Sequence, residues 1–151
     1  MEYLIVALVN LLMVLVNILI HYETLLLLAN KLNVLQVAHR YRVLFGVLFI
    51  FTIHTVEICI FALGYFLLLN IPKMGFMSGH ATSAASLLDC IYFSFVTYTT
   101  VGYGDLFVHG YARYLTGIEA LLGLILITWS ASFLYIEMQK NWNLGGKAKD
   151  Q

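Results

Sequence analysis

The sequence predicts an all-α integral membrane protein. Three observations carry this: charge is scarce, three apolar runs are long enough to cross a bilayer, and one apolar helix is too short to do so. Of 151 residues, 62% are hydrophobic and 11% charged, against roughly 45–50% apolar and about 25% charged in a soluble domain. Eight basic and eight acidic side chains cannot clothe a water-facing surface for a chain of this length. A soluble enzyme is thereby excluded. The sequence also shows no carboxylate pair, nucleophile–base set or metal-ligand spacing, and no basic cluster that would suit a nucleic acid.

The first span, Tyr3–Ile20, carries no charge. It lacks a basic leading region, and no small-residue cleavage site precedes His21-Tyr22-Glu23, so it is expected to be retained rather than removed as a signal peptide. From Thr24 to His39, Leu25, Leu28, Leu32, Leu35 and Ala38 recur at spacings of three and four, with Asn30, Lys31, Asn33 and Gln36 opposite. This segment is too short and too polar to span. It fits an interfacial helix or a cytoplasmic continuation of the first span, and residues 1–42 form an N-terminal unit.

The second unit covers residues 43–138. It opens with a span from Val43 to about Ile71, interrupted only by Glu57 and stopped by Pro72. At 29 residues this run must tilt or protrude. Lys73–Ser86 reads as loop. Ser86-Leu87-Leu88-Asp89 then has the form of a capping box, in which a hydroxyl and a carboxylate three residues apart satisfy the free N–H groups of a new helix. That helix, Leu87–Thr99, reaches only ~20 Å and cannot cross, the mark of a re-entrant segment. The last span, Arg113 to about Met138, contains one internal charge, Glu119, and residues 139–151 form a short tail. Cys59 and Cys90 make no disulfide framework and are expected to be reduced.

Lysine and arginine placement sets the expected orientation. Lys31, Arg40, Arg42, Lys140, Lys147 and Lys149 fall on one side, and Lys73 and Arg113 on the other. This puts the C-terminus in the cytoplasm and the N-terminus outside the cell membrane, with the re-entrant loop opening outward.

Directly after the short helix stands Thr99-Thr100-Val101-Gly102-Tyr103-Gly104-Asp105. Irregular backbone survives at membrane depth only when buried in protein or lining an aqueous path. Two glycines one residue apart give access to backbone angles closed to other residues, so successive carbonyls can turn toward one axis. The stretch resembles the selectivity filter of tetrameric potassium channels, the standing example of carbonyl rings replacing an ion's hydration shell. The segment from the second span to the last is similar to their pore module, about two-thirds of the chain, with the N-terminal span and interfacial helix lying outside it.

The resemblance implies potassium as the permeant ion. Its sites would be lined by the carbonyls of Thr100, Val101, Gly102 and Tyr103, with the Thr100 hydroxyl closing the innermost one. Gly104 would support the filter and Asp105 would sit at the outer mouth. Tyr103 would pack against short-helix aromatics such as Tyr92 and Phe93. One filter segment per chain and a ring of four imply a homotetramer in the lipid bilayer. The sequence departs from the family pattern in having Phe107-Val108-His109 where many relatives place a proline soon after the filter aspartate. It also has no acid in the Phe95-Val96-Thr97 neighbourhood to pair with that aspartate.

No span carries arginines at every third position, so the usual voltage sensor is absent. Nor is the stretch after Met138 long enough for a nucleotide- or calcium-binding domain. Gating is therefore expected within the membrane region or from an unidentified regulatory partner. Gly123 resembles the hinge glycine of inner helices, or serves close helix packing. Leu124, Ile127, Ala131 and Tyr135 share one helical face, on which Ala131 or Tyr135 would form a constriction. His54 and Glu57, three residues apart, share another. They are either a proton-sensitive pair or structural polar groups joining the spans. Glu119 is expected to anchor the last span to the short helix, and His80 and His109 to be solvated. Two other functions fit the same residues: a cation channel of relaxed selectivity, and a non-conducting subunit that co-assembles with another channel.

Overall fold

The computed structural model describes residues 2–34, 39–79 and 85–146. Four helices carry the described chain: α1 (Glu2–Val34), α2 (His39–Asn70), α3 (Leu87–Tyr98) and α4 (Arg113–Gly146). Three are long and apolar enough to cross a membrane, over Glu2–Leu32, Tyr41–Asn70 and Arg113–Gln139, while α3 is the short apolar helix between them.

The polar notch at His21-Tyr22-Glu23 does not end the first helix: among the described residues the segment after it continues the first span, the second of the two readings open to it, and forms no separate interfacial helix. The reason lies in which way the notch faces. The His21 side chain is fully buried on Glu57 of α2, and Thr24 returns its hydroxyl to the Ile20 carbonyl at 2.5 Å, so the helix continues. Leu25, Leu28 and Leu32 then pack against Ile50, with Phe49, Phe133 and Leu134 around them. That apolar stripe faces α2 and α4 instead of a lipid interface. The expected positions of Leu35 and Ala38 lie outside the described residues.

α1 runs antiparallel to α2 and alongside α4. Leu32 lies near Gly46 and Leu134, Met13 meets Gly64, and the rings of Tyr3 and Tyr111 stand edge to face at 4.6 Å. α1 buries Asn10, Asn17 and His21 inward, while Leu4, Leu8, Leu11, Leu15 and Leu19 stay exposed. Lipid is as apolar as leucine and gives no driving force between helices, so a polar stripe of this kind supplies adhesion.

A second correction concerns the loop before α3, where the all-α fold carries one small antiparallel ribbon. Strand β1 (Gly75–Ser78) pairs antiparallel with β2 (Phe107–Gly110), in a register that sets Phe76 opposite His109. Four-residue strands carry too little alternation to be legible. The pairing explains why proline is missing from Phe107-Val108-His109, since proline lacks the N–H a ladder requires. His109 is accordingly held, not merely solvated: its Nε2 lies 2.7 Å from the Ser78 hydroxyl, and its ring stacks on Phe76 at 4.6 Å. His80 lies outside the described residues. α2 begins before Val43 and α4 continues past Met138, so the Arg40-Tyr41-Arg42 punctuation falls inside a helix.

The core gathers α2, α3 and α4, with Phe61, Tyr65, Leu68, Tyr98, Leu115 and Leu126 among its fully buried side chains. At the start of α3, Asp89 N–H donates to the Ser86 hydroxyl at 3.1 Å, and Ser86 N–H donates to the Asp89 carboxylate at 2.9 Å. The Ser86 hydroxyl and backbone N–H together hold the Asp89 carboxyl below its ordinary value. A lowered value stabilises the folded state above the ordinary carboxylate range, and that contribution is lost as pH falls through the lowered value. Ser86→Ala is expected to cost about 1 kcal/mol, read as a lower melting temperature in detergent.

Candidate functional site

The functional site is built around the inner end of α3, which two polar contacts and one close approach fix between α2 and α4. Midway along α3, the Ser94 hydroxyl donates to the Ile58 carbonyl at 2.8 Å and also reaches Glu119 of α4. Glu119 accepts from the Tyr65 hydroxyl at 2.6 Å as well. One buried carboxyl group therefore joins α2, α3 and α4. Phe93 on the same helix packs edge to face on Tyr65, with ring centres 5.1 Å apart.

The close approach is at Gly123. A Cβ built there would lie 2.3 Å from the Tyr98 carbonyl oxygen and 3.0 Å from the Tyr98 ring. Of the two roles open to Gly123 in the sequence, close packing has a direct structural basis. Gly123→Ala is expected to force α4 off the end of α3 at an overpacking cost of about 1–3 kcal/mol. The measurement is the melting temperature of the detergent-solubilised protein.

Beyond Tyr98 the chain leaves the helix. Thr99 and Thr100 N–H groups donate to Phe95 and Thr97 carbonyls at 3.2 and 2.9 Å, and Gly102 N–H reaches back to the Val96 carbonyl at 3.0 Å. The backbone is left-handed at every second residue, with φ of 59° at Thr100, 53° at Gly102 and 75° at Gly104. Glycine accepts that conformation without penalty, whereas Thr100 adopts it at a cost of roughly 1–2 kcal/mol. A non-glycine residue in such a conformation persists only where its surroundings hold it there.

The side chains of this stretch sit differently from expectation. Tyr103 is 72% exposed in the single chain, and Phe93 packs on Tyr65. The Tyr92 hydroxyl donates instead to Asp105 at 2.7 Å, and that bond to a carboxylate raises the Tyr92 phenol above its ordinary value. Val101 is 54% exposed, and Thr99–Asp105 presents an open face throughout the isolated chain. Leu124, Ile127, Ala131 and Tyr135 are all exposed along α4, and the Tyr135 hydroxyl accepts from the Gln139 amide at 2.7 Å.

Below the end of α3 lies a cluster that sequence spacing only half revealed. His54 Nδ1 stands 2.9 Å from one Glu57 oxygen, as the three-residue spacing suggests. The other oxygen is taken by His21 Nδ1 at 2.8 Å, and the Tyr98 hydroxyl donates to Glu57 at 2.5 Å. In the sequence His21 reads as punctuation, because 36 residues separate it from its partner. Its place about three helical turns beyond Asn10 and one beyond Asn17 was the available signal.

Residues 43–140, about two-thirds of the chain, match the family model described as ion channel. No curated protein and no solved structure matches the chain. The matched region takes in α2, α3, the Thr99–Asp105 stretch and the membrane-spanning part of α4, and leaves α1 outside it. The chain belongs to the ion channel family, of the two-transmembrane, potassium-channel-like kind, with one further membrane-capable helix ahead of the family region.

Proposed function

We propose that the protein is the subunit of a homotetrameric, potassium-selective channel whose filter is Thr100–Tyr103. The observation that carries this reading is the left-handed backbone recurring at 100, 102 and 104, directly after a helix too short to cross. Alternating handedness turns successive peptide planes the same way, so consecutive carbonyls face one side of the strand. Four strands around an axis then supply rings of oxygens that replace the water around a dehydrated potassium ion. The carboxyl end of α3, bearing roughly half a negative charge, favours a cation at the inner entrance.

The faces left open by the single chain support assembly. The filter stretch is exposed, and beside it lies a groove of about 570 Å³ whose walls include Phe93, Thr97, Gly104, Phe107 and Tyr114. In the tetramer a neighbouring subunit fills that groove, Tyr103 packs across the subunit boundary, and Ile127, Ala131 and Tyr135 line the inner pore. The proposed orientation places the N-terminus and filter mouth outside the cell membrane and the C-terminus in the cytoplasm.

Potassium and sodium flux into proteoliposomes, with barium as blocker, tests the reading alongside the mass of the detergent-solubilised complex. Barium-sensitive flux of potassium far above sodium, with a four-chain mass, is the expected result. Equal flux of the two ions overturns selectivity, and a monomeric mass overturns the pore.

A further inference from the structure

The cluster beneath α3 brings together two imidazoles and a carboxylate on two different helices. His21, His54 and Glu57 each offer one ligand atom, and the three atoms lie within 4.8 Å of one another. Two imidazole nitrogens and one carboxylate oxygen form the donor set of zinc and its neighbours in the transition series. Both imidazoles present the same atom, Nδ1, toward Glu57, at 2.8 and 2.9 Å.

The surroundings of the cluster are those of a metal site. Ligating histidines usually donate their other ring N–H to an outer acceptor, which fixes the tautomer and ring orientation. His21 Nε2 faces the Ser130 hydroxyl at 3.3 Å, and Trp129 packs against the ring at 5.3 Å. The Tyr98 hydroxyl donates to Glu57 at 2.5 Å and lies 3.0 Å from His54 Nδ1. His21 and Glu57 are fully buried, while the His54 side chain keeps 15% exposure.

We propose that His21, His54 and Glu57 bind a divalent transition-metal ion of the zinc class, clamping α1 to the pore unit beside the inner end of α3. Zinc bonds of about 2.0–2.1 Å place neighbouring tetrahedral ligand atoms roughly 3.3 Å apart. On that geometry each imidazole draws back from the carboxylate by about half an ångström, and the two imidazole nitrogens, which lie within 4.8 Å of each other, settle to the same spacing. Each ring carries its proton on Nε2 in the bound state, and any proton displaced from Nδ1 leaves to solvent. The site joins the helix outside the family region to the helix that precedes the filter, so metal occupancy would tie α1 to the conducting unit.

The test uses the full chain in detergent, stripped of metal and then equilibrated with Zn²⁺. Bound metal is counted by elemental analysis, and its ligands are read by X-ray absorption at the zinc edge. Expected is one tightly held ion per chain with two imidazole ligands, and affinity about 100-fold lower in His21→Gln and in His54→Gln. His109→Gln, remote from the cluster, should bind as the wild type does. Glutamine keeps a donor for Glu57, and the metal-free melting temperature checks that each variant folds. Zn²⁺ should raise the melting temperature of the wild type and of His109→Gln, and raise it far less in the two cluster variants. Failure of the wild type to hold zinc, or unchanged binding in either cluster variant, overturns the proposal. None of these readouts involves ion flux, so they stand apart from the outcome for potassium selectivity.

Discussion

Gly102→Ala is expected to abolish potassium flux in proteoliposomes while the protein still assembles. Gly102 holds φ of 53° in a stretch where Thr100 and Gly104 are also left-handed. Nothing lies within 4 Å of a Cβ built at Gly102, so collision within the chain is not the cause. The backbone is. An alanine in the left-handed region costs about 1–2 kcal/mol, and four copies around one axis bear that cost together. Relaxation toward a right-handed φ swings the adjoining peptide plane and breaks the ring of oxygens. The groove proposed to take the neighbouring subunit is walled mostly by side chains of α3, β2 and α4, which the substitution leaves in place, so the mass in detergent should not change. Retained flux at wild-type selectivity in Gly102→Ala would show that the left-handed register is not what conducts.

Glu119→Ala and Glu119→Gln are expected to separate sharply in stability. Glu119 is fully buried and reached by the Tyr65 and Ser94 hydroxyls, while Ser94 also lies 2.8 Å from the Ile58 carbonyl. A hydroxyl has one proton to give, so the Ser94 proton cannot serve both acceptors. Glutamine resolves the contest. Its amide donates to Ser94, which frees that proton for Ile58, and its carbonyl accepts from Tyr65. Alanine strands both hydroxyls, at about 1–3 kcal/mol each, and leaves a cavity where α2, α3 and α4 meet. The alanine variant should therefore show a much lower melting temperature and loss of the assembled form, with the glutamine variant near wild type. Equal destabilisation of both would mean that the carboxyl's charge, rather than its hydrogen bonds, holds the three helices.

The legible features were those written in local pattern. Uncharged runs marked the spans, Ser86 and Asp89 marked the start of α3, and Gly102 and Gly104 marked where the backbone would turn left-handed. What stayed hidden depended on distant partners. His21 looked like a break because its apolar neighbours stop there, and only the proximity of Glu57 shows it pointing inward. Tyr92 was expected beside Tyr103, yet it takes the carboxylate of Asp105, since an exposed phenol gains more from a charge-assisted bond. Left-handed Thr100 had no signal at all, because threonine does not announce that conformation. The two short strands escaped notice because four residues cannot display a period.

The central claim is that Thr100–Tyr103 selects potassium, and the reversal potential under bi-ionic conditions tests it most directly. The purified protein is placed in a planar bilayer with potassium on one side and sodium on the other. The account predicts a reversal displaced strongly toward the potassium equilibrium value, and a shift toward zero when Tyr103 is replaced by glutamate. A wild-type reversal near zero would contradict it.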